Sequence, residues 1–204
     1  MNPFTQGGWS AGNAGSSAWN PSMGPPPSVF GALPSLGTTT APRSIQPDSV
    51  TFQFTNFNTT ILNCSVVGPQ SRVAYRIVTE ATTPSCTIFK DNESRNVAMV
   101  QWQPNATVEI RNAAPKQRVR DWLSLSSDQK KRKMQVGGIQ YAWSPIDGFI
   151  CMYKSQATAP RVLARIARGA NTVLLELTQE ALQLGLLEPA IVATVMFICG
   201  HNID

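Results

Sequence analysis

The sequence predicts a mainly β protein: an antiparallel barrel or sandwich of about 12 short strands, with a disordered N-terminal tail and an apolar C-terminal helix. Three observations predict it. Strand-like runs recur at about ten-residue spacing from residue 50 onward, each closed by turn residues. Residues 1–48 hold eight of the 15 prolines and seven of the 14 glycines but only two charges, Arg43 and Asp48. Residues 189–199 form a run that is apolar on every side.

The tail comes first in the chain. Ser, Thr, Gly and Pro dominate residues 1–48, and no apolar period runs through them. Such a segment buries too little apolar area to offset its ordering entropy, so disorder is expected there. Phe4, Trp9, Trp19 and Phe30 are isolated aromatics in it, and Pro25-Pro26-Pro27 suits a short polyproline II ligand. Residues 49–204 are then expected to form a single domain.

From Val50 the pattern turns to period two. Val50, Phe52 and Phe54 alternate with Thr51, Gln53 and Thr55, the mark of a half-buried strand. Further strands are expected near 60–66, 73–79, 86–90, 97–102, 106–111, 118–123, 131–136, 139–143, 149–154, 161–167 and 172–178. Gly68-Pro69, Asp91-Asn92, Pro104-Asn105, Gly137-Gly138 and Asp147-Gly148 supply turns between them, and Gly137-Gly138 fits a two-residue hairpin. Residues 178–184 then fit one or two helical turns, with Thr178 as cap and Gly185 as stop. A helix over about 189–199 follows, opened by Pro189 with Glu188 at its positive end. Its length is half of the roughly 20 residues that a membrane span needs, so burial in protein is expected and no transmembrane span.

The chemistry-bearing residues are sparse. One histidine, His201, and four widely spaced cysteines, Cys64, Cys86, Cys151 and Cys199, leave no zinc pattern and no Cys-x-x-Cys pair. Buried, reduced thiols are expected. Phosphate-loop and dinucleotide fingerprints are absent. Asp91 and Glu93 suit solvated turn positions, and Glu109 and Glu176 suit the polar face of strands. Trp102, Trp122 and Trp143 suit core positions. No catalytic, cofactor-binding or metal-binding residue is indicated, and an enzyme is not expected. With no signal peptide and no lipidation motif in view, a cytoplasmic location is expected, with peripheral membrane contact as its membrane role. The sequons at Asn58, Asn63, Asn92 and Asn105 are then chance matches.

Charge patterning is the positive signal. Arg111, Lys116, Arg118, Arg120, Lys130, Lys131, Arg132 and Lys133 face only Asp121 and Asp128, so this stretch carries +6 against +5 for the whole chain. Arg161, Arg165 and Arg168 form a second group. A converged patch of this kind attracts the phosphates of anionic lipid headgroups. Nucleic acid is the weaker expectation, because only Trp122 interleaves an aromatic with the charges.

A series of motifs carries a family resemblance. Tyr75-Arg76-Ile77-Val78-Thr79, Cys86-Thr87-Ile88-Phe89 and Val97-Ala98-Met99-Val100-Gln101-Trp102 are followed by Asp121-Trp122-Leu123, Arg132-Lys133-Met134 and Tyr141-Ala142-Trp143. In this order the series resembles an uncharacterised domain family common in mushroom-forming fungi, over about residues 48–200. Met134 departs from it by standing where an aromatic is usual, and the long uncharged tail is a second departure. That family is similar in architecture to the tubby-like, LURP-one and phospholipid scramblase group. The resemblance implies a closed 12-stranded barrel wrapped around a hydrophobic C-terminal helix, and a surface for phosphoinositide or other anionic lipid. It supplies no ligand residue at any position of this sequence.

The expected function is therefore a non-enzymatic binding module that meets anionic phospholipid through the basic residues of 111–133. The alternative is a structural or protein-interaction protein that recruits a protein partner through its N-terminal tail. A scramblase-like membrane protein ranks below both.

Overall fold

The computed structural model describes residues 48–57, 60–80, 85–157, 160–169 and 172–204. The tail expected over 1–48 lies, except for Asp48, outside the described residues. The elements are β1 (Val50–Thr55), β2 (Cys64–Val67), β3 (Val73–Thr79), β4 (Cys86–Asp91), β5 (Asn96–Gln101), β6 (Thr107–Ile110) and β7 (Ala114–Arg118), then the helical turn α1 (Val119–Trp122). They continue with β8 (Leu123–Leu125), β9 (Arg132–Val136), β10 (Ile139–Ile146), β11 (Phe149–Lys154), β12 (Ala164–Arg168), β13 (Val173–Leu177), α2 (Gln179–Gln183) and α3 (Leu187–Ile198).

The strands make one 13-stranded sheet in the order β7-β6-β5-β4-β3-β2-β1-β13-β12-β11-β10-β9-β8. Every pairing is antiparallel. Local chemistry explains most of it. Inward residues alternate with outward ones, as in β1, where Phe52 and Phe54 are buried while Thr51 and Gln53 are exposed. Between β9 and β10 the chain reverses on Gly137 and Gly138, with φ of 57° and 78°, the left-handed pair that a type I′ hairpin requires.

The edges of the sheet differ from expectation. The ladder is not closed: 13 strands replace the expected 12, and no pairing joins β7 to β8 among the described residues. The cause lies in the segment expected to be one strand over 118–123, whose middle is instead the helical turn α1. A strand would put Arg118, Arg120 and Trp122 on one face, and Val119, Asp121 and Leu123 on the other, mixing charge with apolar groups on both. One helical turn sends Val119 and Trp122 inward, three residues apart, and leaves Arg118, Arg120 and Asp121 in solvent.

Strand parity completes the account. With 13 strands antiparallel throughout, β7 and β8 run in the same direction, and only the four residues of α1 separate them. One helical turn advances the chain about 6 Å, whereas a parallel crossover needs a dozen or more residues. β8 therefore carries on where β7 leaves off: the first pairs with β9 and the second with β6. A flat sheet of this width would hold its edges nearly 60 Å apart at about 4.8 Å per strand. Joined through α1, which packs against β6, β7, β8 and β9, the edges instead meet at a seam.

The curled sheet encloses α3. Residues Pro189–Phe197 are all buried, on every face of the helix. Ile191 and Val192 line one narrow internal gap together with Tyr75 of β3 and Phe89 of β4, and Phe197 meets the Trp143 ring of β10 edge-on at 5.6 Å. These are strands from both halves of the sheet order. Each large apolar side chain so buried contributes about 1.5–3 kcal/mol, and α3 is thus the core around which the strands assemble. α2 follows expectation as well: the Thr178 hydroxyl accepts the Ala181 N–H at 3.2 Å, and Gly185 ends the turn at φ 69°. Trp102, Trp122 and Trp143 are buried, at 8%, 2% and 0% exposure. No described helix is long and apolar enough to cross a membrane.

Candidate anion-binding face

The basic stretch follows the seam. In β7, Gln117 lies opposite buried Val108, so its neighbours Lys116 and Arg118 take the outer face, where Arg118 lies opposite Thr107. The Lys116 ammonium donates to Gln101 Oε1 at 3.5 Å. Arg120 projects from α1 with its side chain 55% exposed, and lies 3.8 Å from the Asp121 carboxylate. Across the seam Lys133 stands on the outer face of β9, opposite Ser124 of β8. Lys130 is exposed and Lys131 half-buried in the turn joining β8 to β9. Asp128 organises that turn by accepting from the Ser126 hydroxyl and the Lys130 N–H. Those two bonds, together with the neighbouring lysine charges, hold its carboxyl below the usual range.

Two of the eight sequence-selected cations stand apart. Arg111 follows β6, at the end of the sheet where α3 begins, and its charge reaches Glu188 of that helix. Arg132 is a correction to the surface patch. It points inward with Met134 and Val136, is 1% exposed, and is bound by protein groups. Its Nη1 donates to the Leu123 carbonyl at 2.9 Å and to Asp204 Oδ1 at 2.9 Å, and its Nη2 donates to Asp204 Oδ2 at 2.6 Å. The outer face along the seam is therefore made of Lys116, Arg118, Arg120, Lys130, Lys131 and Lys133. Its carboxylates are Asp121, Asp128 and, from β6, the exposed Glu109.

The second basic group is separate. Arg165 lies on β12, with β10 and β11 between it and Lys133. It faces Glu176 across the β12–β13 pair, with Nε to Oε2 at 2.7 Å, and its guanidinium lies 4.6 Å above the Phe149 ring. Glu176 was expected in solvent. It is instead largely covered in this cross-strand ion pair, with 17% of its side chain exposed. Arg161 and Arg168 are exposed.

A second polar locus, invisible in the sequence, lies at the N-terminal end of α3. There Tyr75, Asp91, Asn92, Arg95 and Glu188 line an open cavity of about 310 Å³. Burial pushes the Asp91 carboxyl up, but hydrogen bonds from the Arg95 side chain and from the Arg95 and Glu93 N–H groups outweigh it and hold the carboxyl low. Glu188 goes the other way. Burial and the Asp91 charge raise it, and Arg111 opposes them. Tyr75 is pushed up to about 12 by burial beside both carboxylates. Asp91 and Glu93 do serve a turn, and Glu93 is exposed as expected, but Asp91 was expected in solvent and keeps only 12% of its side chain there, covered by its bonds to Arg95. What the sequence could not show is that Glu188, 97 residues on, comes to stand over it.

The remaining chemistry is quiet. All four cysteines are free. Burial pushes Cys64 up to about 12 and Cys151 and Cys199 up to about 11, far from a reactive thiolate. Asn63, one of the sequon residues, accepts the Thr79 N–H through its side chain at 2.9 Å. No group of three metal-binding side chains occurs among the described residues.

Comparison with known proteins adds a family. A solved X-ray structure of a protein from Arabidopsis thaliana aligns over 72% of this chain and 92% of its own, at 9% identity and a TM-score of 0.41. No curated protein matches the sequence. A model for a family of unknown function, DUF6593, matches residues 56–198. That span runs from the residue after β1 to the end of α3, and so takes in the seam, the basic face and the enclosed helix. The curled sheet around an apolar helix is thus the fold of a family domain, and the chain belongs to DUF6593, a family of unknown function.

Proposed function

We propose that this protein is a non-enzymatic binding module that meets anionic lipid headgroups through the outer face of the seam. The observation that supports the reading is the placement of Lys116, Arg118, Arg120, Lys130, Lys131 and Lys133 along one path on β7, α1, the β8–β9 turn and β9, six cations against three carboxylates. Asp121 and Asp128 are already engaged by Arg120 and by the β8–β9 turn. Each cation near an anionic leaflet contributes about 1 kcal/mol, so the set is strong enough for reversible peripheral contact and too weak for permanent anchoring.

Flotation with vesicles of neutral lipid, of 20% phosphatidylserine and of 5% phosphoinositide tests it. The full chain should float with the anionic vesicles and lose that binding in high salt. Changing Lys116, Arg118, Arg120 and Lys130 together to Glu should cut binding more than tenfold and leave the melting temperature within a few degrees, since all four side chains are exposed. Arg132 is kept, because it is buried. Binding that survives the four changes overturns the proposal.

A further inference from the structure

The segment after α3 does more than trail from the helix. Gly200 turns the chain with φ 73°. The His201 ring then stacks on Trp102, the residue following β5, with centroids 4.4 Å apart. Ile203 is 3% exposed. The Asp204 carboxylate takes both terminal nitrogens of Arg132, the first residue of β9, in a two-pronged ion pair. Both attachment points are themselves fixed. Trp102 Nε1 donates to the Thr87 hydroxyl at 2.8 Å, and that oxygen lies 2.7 Å from the Thr79 hydroxyl. Arg132 also donates to the Leu123 carbonyl in β8.

These two points lie on opposite sides of the seam. Around the sheet, the way from β5 to β9 runs through β6, β7, the gap at α1 and β8. Residues 201–204 make the same connection directly, over at most about 13 Å of chain. The ladder leaves the seam without backbone pairing, and this short segment ties its two sides together across the end of α3.

We propose that Gly200–Asp204 is a clasp that holds the seam shut, with Arg132 as its anchor, and that it releases while the rest of the sheet stays intact. Its fastenings are three side chains, one stacked, one apolar and one ionic, and none of them belongs to the strand ladder. Asp204 keeps half of its side chain, 52%, open to solvent, and His201 is exposed as well, so two of the three fastenings are reached by water. Release bares the Trp102 ring and the Arg132 guanidinium at one mouth of the sheet, beside the turn that carries Lys130 and Lys131.

Hydrogen exchange on the full chain, without lipid, tests the clasp. In Asp204→Asn, amides of Leu123–Val136 and of Trp102 should exchange at least tenfold faster than in the unaltered chain. Those of β2–β4 and β11–β13 should stay within about twofold. His201→Ser, which loosens the other fastening, should accelerate the same region by a smaller factor, about threefold. Exchange that is unchanged in both variants overturns the proposal. So does acceleration spread evenly over all strands, or a failure of Asp204→Asn to fold, because either outcome makes the contact part of global stability.

Discussion

The two ends of α3 meet the rim of the sheet in opposite ways. At the N-terminal end no side chain caps the helix, and Glu188 in the first turn stands over an open, charge-lined cavity with Asp91 and Arg95. At the C-terminal end the Cys199 N–H bonds to the Val195 carbonyl, and residues 200–204 fold across the opening. One end is satisfied by a carboxylate at the positive pole of the helix and remains wet. The other is closed by chain and side chains. A helix buried on every face still has two polar ends, and this molecule leaves one beside an open cavity and folds a short, partly exposed segment over the other.

The largest effect comes from breaking what both ends share. Val195 is 0% exposed in the enclosed part of α3. Val195→Asp should cost several kcal/mol, because a buried carboxylate without a partner is poorly tolerated. The expected result is loss of the cooperative melt by circular dichroism. A cooperative transition within a few degrees of the unaltered chain would mean that α3 does not organise the sheet.

The covered end predicts a moderate pH dependence. His201 is exposed, but its partial burial against Trp102 still pushes the imidazole below its ordinary value of 6.5. The folded state then binds its proton less readily than the unfolded state. Its contribution is intact above about pH 6.5 and is lost as pH falls through the depressed value. His201→Gln should therefore flatten the melting temperature between pH 7 and pH 5, with a difference of about 1–3 °C from the unaltered chain. Parallel curves for the two proteins would mean that the stack on Trp102 does not shift the His201 proton.

The open end predicts the smallest change. Glu188 has a raised folded value, so ionising it opposes folding, and that cost appears as pH rises through the carboxylate range. Its favourable position at the helix N-terminus offsets the cost by about 0.3–1 kcal/mol. Glu188→Gln should then change stability by less than about 0.5 kcal/mol at pH 7, measured by urea titration. A loss above 2 kcal/mol would show that this end is held as tightly as the other.

Much of the fold was legible because its signals are local. Period two marks β1 at Val50, Phe52 and Phe54, the glycine pair marks the β9–β10 hairpin, and Thr178 marks the start of α2. The apolar run at 189–199 lies in α3 up to Ile198, with Cys199 as the residue that ends the helix. Residues 118–123 were misread because a single turn of period three hides inside a β-rich neighbourhood, and only the mixed faces of the strand reading hinted at it. Arg132 was misplaced for a related reason. Its alternation with Met134 and Val136 points it inward, but the run of four basic residues suggested a shared surface. Its partner Asp204 is 72 residues away, and no local pattern announces such a pair. The outer positions of Lys116, Arg118 and Lys133 follow from strand parity, whereas their arrangement on two sides of one seam depends on how the sheet curls.

The split between β7 and β8 has a mechanical consequence. A tube slit along its length resists bending almost as well as an intact one but yields more readily to torsion, since shear passes across the slit only where something bridges it. The backbone ladder of this sheet is such a tube, with a single helical turn at the slit and a helix down its middle. Twist between the two flanks of α1 is thus opposed by that turn and by the contacts of residues 201–204 rather than by ladder hydrogen bonds, and the surface that such a twist displaces is the one that carries Lys116, Arg118, Arg120 and Lys133.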